Sequence, residues 1–276
     1  MSIAPAAPVA PVAMVRPSRG IAIHGVTPLR AEPDDGSELV DQAQYGEELT
    51  RLAARGEWTY VQGPDLYFGW IRTAHLGDLG DGPDQADQAD QADRVVVSVP
   101  LARVRSRPAE DADAVDELPA GAPLLWHERE GGWWRVAQSA YVAIRDTVDV
   151  DAIPHRYPTA ADLVATAESF LGVPYLWGGT TARGIDCSGL TQRVYRLNGV
   201  GLDRDADQQA LGGRPVDQAR PGDLFFFGAE RVTHTAIATG ERTFIHAPES
   251  GRTVQRGGLT DPSDVARLRA IRRYLP

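Results

Sequence analysis

The stretch Asp186-Cys187-Ser188-Gly189 decides how the rest of the sequence is interpreted, and Cys187 is the only cysteine of the chain. A disulfide within the chain is therefore impossible. The stretch follows a glycine-rich run, 177–184, and opens a segment, 188–198, whose apolar residues recur at helical spacing. A thiol at a helix N-terminus lies at the positive end of the helix dipole, which favours the nucleophilic thiolate. A small buried hydrophobe is the alternative interpretation of a lone cysteine.

The composition is that of a globular protein, and a length of 276 residues predicts two or three domains. The formal net charge of −10 argues against nucleic acid and anionic membranes as partners. No apolar run is long enough to span a bilayer. Residues 1–17 lack an early basic cluster and are interrupted by prolines, so no secretory signal is expected in them. We expect a cytoplasmic protein, with secretion as the alternative if a signal has been removed.

Two β-like stretches, 20–80 and 94–150, repeat each other. A constant offset of 75 positions aligns Gly46 with Gly121 and Trp58 with Trp133 without a gap. Such an offset indicates duplicated structure. Beyond these aligned positions the second copy is shorter, so the first copy carries an extra loop with Tyr67 at its tip.

The remaining segments complete a three-domain organisation. Residues 1–19 are predicted to be an extended N-terminal segment, and 81–93, with a repeated Asp-Gln-Ala tripeptide, an acidic linker. From Thr159 a capping-box-like start leads into a helix, and the helix at Cys187 follows. Strands are predicted after Gly222, so the domain at 155–276 has helices first and an antiparallel sheet second, which is the α+β order.

Six histidines are present, at positions 24, 75, 127, 155, 234 and 246. Only His234 and His246 are predicted to lie in strands beyond Cys187, with a hairpin turn at 240–242 between them. Such a hairpin places the two imidazoles side by side, with His234 as a base and His246 as the group that orients it. Two alternatives stay open at this point: ordinary half-buried histidines, and a metal site completed by Asp223 or Cys187.

Ordered motifs in the chain resemble known families. Short motifs in the two copies, such as Tyr45-Gly46-Glu47-Glu48-Leu49 and Gly69-Trp70-Ile71, resemble those of bacterial SH3-like (SH3b) domains. A larger set at 155–276 is similar to the NlpC/P60 family of papain-like cysteine peptidases. It comprises Tyr175-x-Trp177-Gly178-Gly179, Asp186-Cys187-Ser188-Gly189, Leu202-x-Arg204-Asp205, Pro221-Gly222-Asp223-Leu224, His234-Thr235-Ala236-Ile237 and Ile245-His246-Ala247.

The resemblance implies an α+β fold: a papain-like NlpC/P60 catalytic domain, with helices packed on an antiparallel sheet, preceded by two small all-β SH3-like barrels. It implies Cys187 as nucleophile, His234 as general base and His246 as the residue that orients this base. Tyr175 would lie near the nucleophile and contribute to the oxyanion site. Neither a cofactor nor a metal is implied.

The order of two SH3b modules and a peptidase resembles, more narrowly, the γ-D-glutamyl-L-diamino-acid endopeptidases of muropeptide recycling. In that group the first SH3b domain caps the cleft and leaves room for a free N-terminal L-alanine. The implied substrate-binding residues are Asp186, Ser188, Asp205, Glu47 and Tyr67, with Glu48 as the alternative to Glu47. Each acid also has a structural interpretation, as a helix cap for Asp186 and Asp205 and as a solvated turn residue for Glu47. Ala206 stands where a serine hydroxyl could otherwise contribute.

We therefore expect a monomeric cysteine endopeptidase that hydrolyses the γ-D-glutamyl–diamino acid bond of short, peptidoglycan-derived peptides with a free N-terminal L-alanine. No nucleic acid or membrane partner is expected. A secreted hydrolase that acts on intact wall through SH3b anchors is one alternative, and a non-catalytic wall-peptide-binding protein is another. The choice between meso-diaminopimelate and lysine as the diamino acid stays open.

Overall fold

The computed structural model describes residues 12–78, 95–124, 126–149, 158–249, 252–260 and 262–276. The predicted acidic linker and His155 lie outside these ranges, as does most of the predicted extended segment 1–19. Within the described ranges no helix is both long and apolar enough to cross a membrane.

The first module is one seven-stranded antiparallel sheet with the order β3-β2-β6-β5-β4-β1-β7. Its strands are β1 Ala13–Ala22, β2 Val26–Arg30, β3 Leu39–Gln44, β4 Glu48–Arg55, β5 Trp58–Gln62, β6 Phe68–Arg72 and β7 Leu76–Asp78, with a single 3-10 turn at Thr73–His75. Leu29, Leu49, Val61 and Ile71 are almost fully buried and form the core, because alternate side chains of a strand point to one face.

The second module divides its strands between two sheets, a five-stranded sheet β10-β9-β14-β13-β12 and a three-stranded sheet β11-β8-β15. The strands are β8 Val95–Val97, β9 Leu101–Arg105, β10 Ala114–Pro119, β11 Pro123–Leu124, β12 Glu128–Glu130, β13 Trp133–Ala137, β14 Ala140–Ala143 and β15 Thr147–Asp149. A 3-10 turn at Ile144–Asp146 precedes the last strand. That either module closes as a barrel stays a prediction.

The sequence repeat is also a repeat of backbone hydrogen bonds. The amide of Gly46 donates to the carbonyl of Ala22, and the amide of Gly121 donates to the carbonyl of Val97 at the same offset. Both glycines have a left-handed backbone, with φ of 77° and 83°, which a residue with a Cβ rarely adopts. The same tight turn therefore occurs in both copies, as their aligned glycines predict.

The C-terminal domain combines four helices with a six-stranded sheet of order β18-β23-β19-β20-β21-β22. The helices are α1 Ala160–Ser169, α2 Cys187–Leu197, α3 Ala206–Gln209 and α4 Pro262–Arg267. The strands are the two-residue pair β16 Thr180–Thr181 and β17 Gly184–Ile185, then β18 Arg214–Pro215, β19 Leu224–Phe227, β20 His234–Ala238, β21 Thr243–His246, β22 Gln255–Gly258 and β23 Leu268–Arg273. Three of these helices precede the main sheet, as predicted, whereas α4 lies between its strands β22 and β23.

Burial on both faces of the sheet explains the continuous apolar run of β19. Leu224 and Phe226 face α1 and α2, where Leu163 and Leu190 are fully buried. Phe225 and the other alternate residues of β19 pack in a second cluster on the opposite face. Since successive side chains of a strand alternate between faces, a strand covered on both sides needs apolar residues throughout.

The first module docks directly onto the C-terminal domain. The side-chain oxygen of Gln42 accepts a hydrogen bond from the backbone of Thr180 at 2.9 Å. The carboxylate of Asp65 accepts one from the side chain of Gln192, on α2, at 3.0 Å. Both contacts reach the segments on either side of Cys187, so the module is placed against the site described next.

Candidate active site

Asp186 caps the helix that begins at Cys187, the predicted nucleophile. Its carboxylate accepts hydrogen bonds from the amide of Gly189 at 2.6 Å and from the amide of Gly178 at 2.9 Å. A Cβ at Gly189 would overlap the carbonyl of Gly179. The glycines are therefore required because the helix start and the glycine-rich loop pass in backbone contact. This packing leaves Cys187 as the first residue of α2, with 9% of its surface exposed.

The two strand histidines contact each other as the hairpin prediction requires. Nε2 of His234 lies 2.8 Å from Nδ1 of His246, and the ring planes are inclined by 75°. His234 begins β20 and His246 ends β21, and these strands pair with Ile237 opposite Ile245. One imidazole can therefore hold the orientation of the other, whichever nitrogen carries the shared proton.

The thiol lies beside the strand that carries His234. The backbone N–H groups of Thr235, the second residue of β20, and of Ser188 act to lower the pKa of Cys187, but other effects are larger. Burial, with the nearby negative charge of Asp186, raises the pKa of Cys187 to about 12. Burial, with the neighbouring imidazole of His246, lowers the pKa of His234 to about 3. Thiol and imidazole are thus both neutral near pH 7, and His234 is in the form that accepts a proton.

The direction of the thiol pKa differs from the sequence prediction. The helix dipole favours a thiolate, but Asp186 already occupies the N-terminus of α2 and accepts hydrogen bonds there. Its carboxylate opposes a second negative charge, and burial adds a desolvation cost. Burial and the charge of Asp186 therefore outweigh the effect of the helix dipole on the pKa of Cys187, opposite to the predicted direction.

Arg204 is the buried cation of the site, and the sequence analysis missed it. Its guanidinium donates to Asp186 at 2.7 and 3.1 Å, to Ser188 Oγ at 3.0 Å and to Asp41 of the first module at 3.1 Å. Burial alone would lower the pKa of Arg204, but the carboxylates of Asp186 and Asp41 raise it above its ordinary value. Arg204 thus links the first module to the cap of the nucleophile helix. The motif Arg204-Asp205 signalled this position, but the sequence assigned its role to Asp205 alone.

Tyr67 and Asp205 meet across the boundary between the first module and the catalytic domain. The hydroxyl of Tyr67 donates to the carboxylate of Asp205 at 3.1 Å. The tyrosine follows Leu66, whose positive φ of 68° is unusual for a residue with a Cβ. Asp65 Oδ1 accepts a hydrogen bond from the amide of Tyr67 at 3.1 Å and fixes the loop tip. Burial raises the pKa of Asp205, although the Tyr67 hydroxyl and the Arg204 charge oppose this shift.

The expected position of Glu47 is corrected by the structure. Glu47 is 9% exposed, accepts a hydrogen bond from the amide of Gln44 and pairs with Arg196 at 2.7 Å. Both partners occupy its carboxylate, and Glu47 does not line the cleft. Glu48 is exposed and pairs with Arg19. The acid that the first module contributes to the cleft is Glu38, whose carboxylate accepts a hydrogen bond from Trp177 at 2.8 Å; no local signal in the sequence points to it.

Tyr175 lines the cleft beside the nucleophile. Its backbone forms a bridge with Ile185 and donates a hydrogen bond to the carbonyl of Arg252 at 2.8 Å. Burial, with the neighbouring Cys187 and Asp186, raises the pKa of Tyr175 above its ordinary value. The hydroxyl therefore stays protonated and can donate to an oxyanion.

Asp223, the acid considered for an alternative metal site, lies outside the cleft lining. Its carboxylate accepts hydrogen bonds from Arg273 at 2.7 and 2.8 Å. Among the residues that the structure describes, no group of three or more His, Cys, Asp or Glu is arranged to hold a metal ion. His24 and His75 contact each other within the first module.

The cleft over Cys187 has a volume of about 1140 Å³. It is lined by all three predicted catalytic residues, by four of the predicted substrate-site residues and by residues that the sequence did not single out. The predicted residues in the lining are Cys187, His234, His246, Tyr175, Asp186, Ser188, Asp205 and Tyr67, and the additional charged ones are Glu38, Arg204, Asp207, Arg231, Glu249, Arg252 and Arg267.

Comparison with known proteins identifies the family. The NlpC/P60 family model matches residues 172–273, and the model of the bacterial dipeptidyl-peptidase Sh3 domain matches residues 29–76. The chain is 31% identical over 248 residues to gamma-D-glutamyl-L-lysine dipeptidyl-peptidase of Bacillus subtilis (strain 168), covering 84% of this chain and 80% of the relative. The chain belongs to the NlpC/P60 family. It is a cysteine peptidase.

Two further comparisons cover most of the peptidase. Dipeptidyl-peptidase 6 of Lysinibacillus sphaericus is 28% identical over 257 residues, which is 87% of this chain and 92% of that protein. The crystal structure of an NlpC/P60 family protein from Bacillus cereus superposes with a TM-score of 0.81 at 25% identity, covering 94% of this chain and all of that one. The SH3 match lies over the first module, and the SH3b assignment of the second module stays a prediction.

Proposed function

We propose that this peptidase hydrolyses the γ-D-glutamyl–diamino acid bond of short peptidoglycan peptides whose N-terminal L-alanine is free. The observation that carries the proposal is the contact between Tyr67 and Asp205, since it joins the first module to a half-buried carboxylate that lines the cleft. The Bacillus subtilis relative is named gamma-D-glutamyl-L-lysine dipeptidyl-peptidase, which supports the same class of bond.

The proposed reaction begins at the neutral thiol. Cys187 attacks the γ-carbonyl of D-glutamate while His234 accepts the thiol proton, and the backbone and Tyr175 stabilise the oxyanion that forms. His246 holds the ring of His234 through the 2.8 Å contact. His234 then returns the proton to the leaving amine, and a thioester with the dipeptide remains. Water attacks the thioester with the help of His234, and L-Ala-D-Glu is released with the thiol restored.

The proposed length limit follows from how the first module meets the cleft. Two side-chain contacts cross the boundary there, Tyr67 to Asp205 at 3.1 Å and Trp177 to Glu38 at 2.8 Å. A substrate ammonium at this end would find carboxylates and a hydroxyl as partners, which a cation in a partly buried site requires. An acylated amine would lose its charge and add bulk at the same place, so blocked and polymeric peptides are expected to bind poorly.

The proposal includes a place in the cell. Short peptides with a free alanine amine arise only after the wall peptide has been cut from its glycan, so the protein would consume products of wall turnover. This role fits the cytoplasmic location expected from the sequence. Fractionation of the source cells tests the location directly, because the peptidase is expected in the soluble cytoplasmic fraction.

A mass-spectrometric digest tests the activity. The peptide L-Ala-γ-D-Glu-meso-diaminopimelate is offered with its amine free and, separately, N-acetylated, and Cys187→Ala serves as the control. Release of L-Ala-D-Glu from the free peptide alone, and only by the wild-type chain, is expected. Equal cleavage of both peptides would still support Cys187 as the nucleophile, but it would contradict the proposed recognition of the free amine.

A further inference from the structure

Two arginines line the cleft beside the general base. Arg231 lies in the loop between β19 and β20, close before His234 in the chain, and Arg267 ends α4; both are exposed. The amide of Gly228 donates to the carbonyl of Arg267 at 2.9 Å. A Cβ at Gly228 would overlap the carbonyl of Arg231, so the loop folds back in a turn that needs glycine. The two arginines are thereby held on one rim.

This rim carries uncompensated positive charge among the residues that the structure describes. Two other arginines of the domain are ion-paired, Arg204 with Asp186 and Arg273 with Asp223. Neither Arg231 nor Arg267 has an ion-pair partner in those ranges. The carboxylates that line the cleft have other neighbours. Asp205 and Glu38 lie at the contacts of the first module, and Asp186 pairs with Arg204. Asp207 lies close enough to Asp205, and Glu249 close enough to Tyr175, to add to the effect of burial in raising their pKa values.

The chemistry of the reaction assigns this rim to one side of the scissile bond. His234 must reach the leaving nitrogen in order to protonate it, so the leaving residue lies on the His234 side of Cys187. The charge of Arg267 acts at His234, where it adds to the effects of burial and of His246 in lowering the pKa. The proposed amine end lies at a separate contact, between Tyr67 and Asp205. The arginine rim therefore faces the leaving residue.

We propose that Arg231 and Arg267 form a carboxylate-binding subsite for the leaving diamino acid. The inference rests on the proposed function and extends it to the identity of the leaving residue. A guanidinium binds a carboxylate through two parallel N–H donors, and two guanidinium groups match a residue with two carboxylates. The peptidase therefore prefers a diamino dicarboxylic acid, such as meso-diaminopimelate, to lysine, although two of its relatives are named for L-lysine.

The test compares leaving residues that differ by one carboxylate. Three peptides with a free alanine amine are used, ending in meso-diaminopimelate, in meso-diaminopimelate with its side-chain carboxylate amidated, and in lysine. The values of kcat/KM are measured for the wild type, for the double variant Arg231→Gln/Arg267→Gln, and for Arg214→Gln. Arg214 is an exposed arginine on β18 that does not line the cleft, so it controls for the loss of a positive charge.

The wild type is expected to prefer the dicarboxylate peptide to both others by about tenfold or more, the effect of one charge-assisted hydrogen-bonded pair. The double variant is expected to lose most of this preference while it still cleaves the lysine peptide, which shows that it is folded. Arg214→Gln is expected to retain the preference. A wild type that cleaves all three peptides equally, or a double variant that keeps the full preference, would overturn the subsite.

Two further outcomes separate this inference from the proposed function. If the wild type cleaves none of the peptides, both the proposed function and the subsite are overturned. A fourth peptide, with D-isoglutamine in place of D-glutamate, identifies the carboxylate that is bound. If the double variant differs from the wild type only in its response to this replacement, the arginines bind the α-carboxylate of D-glutamate, and the leaving-residue subsite is wrong.

Discussion

The pH range of the reaction is set at the scale of single residues, by Cys187 and His234. Because burial and His246 lower the pKa of His234 to about 3, its base form persists in acid. Because burial and Asp186 raise the pKa of Cys187 to about 12, the thiol does not ionise by itself near neutral pH. Neither group limits the rate at moderate pH. In the proposed reaction, the free amine of the substrate, with an ordinary pKa near 8, is then the group that titrates.

We predict that kcat/KM for a free-amine peptide persists down to about pH 5 and falls above about pH 8. The acid side follows from the lowered pKa of His234, and the alkaline side from loss of the substrate's positive charge. His246→Gln removes the second imidazole and should move the acid limb to higher pH, because His246 lowers the pKa of His234. The test measures initial rates as a function of pH and monitors unfolding in parallel. An acid limb near 6.5 in the wild type would contradict it.

Two single residues, Tyr67 and Asp205, are the proposed partners of the substrate amine. Tyr67→Phe keeps the ring and removes the hydroxyl that donates to Asp205. Asp205→Asn keeps the size and removes the charge. Since a hydrogen bond to a charged group contributes about 1.5–3 kcal/mol, Asp205→Asn should lower kcat/KM for the free-amine peptide by about tenfold or more, and Tyr67→Phe should lower it less. Turnover of the N-acetylated peptide should not fall in parallel; an equal fall with both peptides would show a structural role.

Elements meet at the interface that Arg204 bridges. This buried guanidinium joins Asp41 on β3 to Asp186 at the start of α2. Asp41→Ala leaves Arg204 paired with Asp186 alone, and the loss of a buried hydrogen bond to a charged group costs about 1.5–3 kcal/mol. Asp41→Ala is therefore expected to lower the unfolding temperature clearly. Glu48→Ala, in an exposed pair with Arg19, should change it little, since such pairs contribute about 0–1 kcal/mol. Equal shifts in differential scanning calorimetry would argue against the bridge.

The glycine-rich loop tests the same interface from the backbone. Gly178 has a φ of 72°, and a Cβ there would overlap the carbonyl of Leu39 on β3. Gly178→Ala should therefore push the first module away from the cleft and raise cleavage of N-acetylated peptides. Gly56→Ala is the matched control, because its φ of 58° imposes a similar strain but a Cβ meets no atom within 4 Å. If the two variants show the same peptide preference, docking of the module does not set specificity.

At the scale of the whole molecule, features that are local in sequence were predicted and features that depend on docking were not. The helix at Cys187 and the histidine hairpin follow from periodicity and turn residues within a few positions, and both are present. The contact of Arg204 with Asp41 joins residues 163 positions apart. No local pattern specifies such a pair, because it depends on how a completed module packs against another.

Docking also explains the error at Glu47. The sequence presents the residue in a turn, where a carboxylate is usually solvated, yet the packed module buries it against Arg196 of α2. The place of Glu38 in the cleft was missed for the same reason, because its partner Trp177 lies 139 positions away in the chain. The sequence analysis considered Glu47 and Glu48, whereas the acid of the first module that lines the cleft is Glu38.

The burial of a lone thiol at the floor of the cleft gives the molecule a built-in reporter. Cys187 is the only cysteine, so every alkylated molecule is labelled at the same atom and no other site contributes to the signal. The rate of labelling by small and bulky reagents would measure how wide the cleft stands open before any substrate arrives. Loosening of the first module would then be visible as faster labelling by the bulky reagent, in a protein that has not turned over a single peptide.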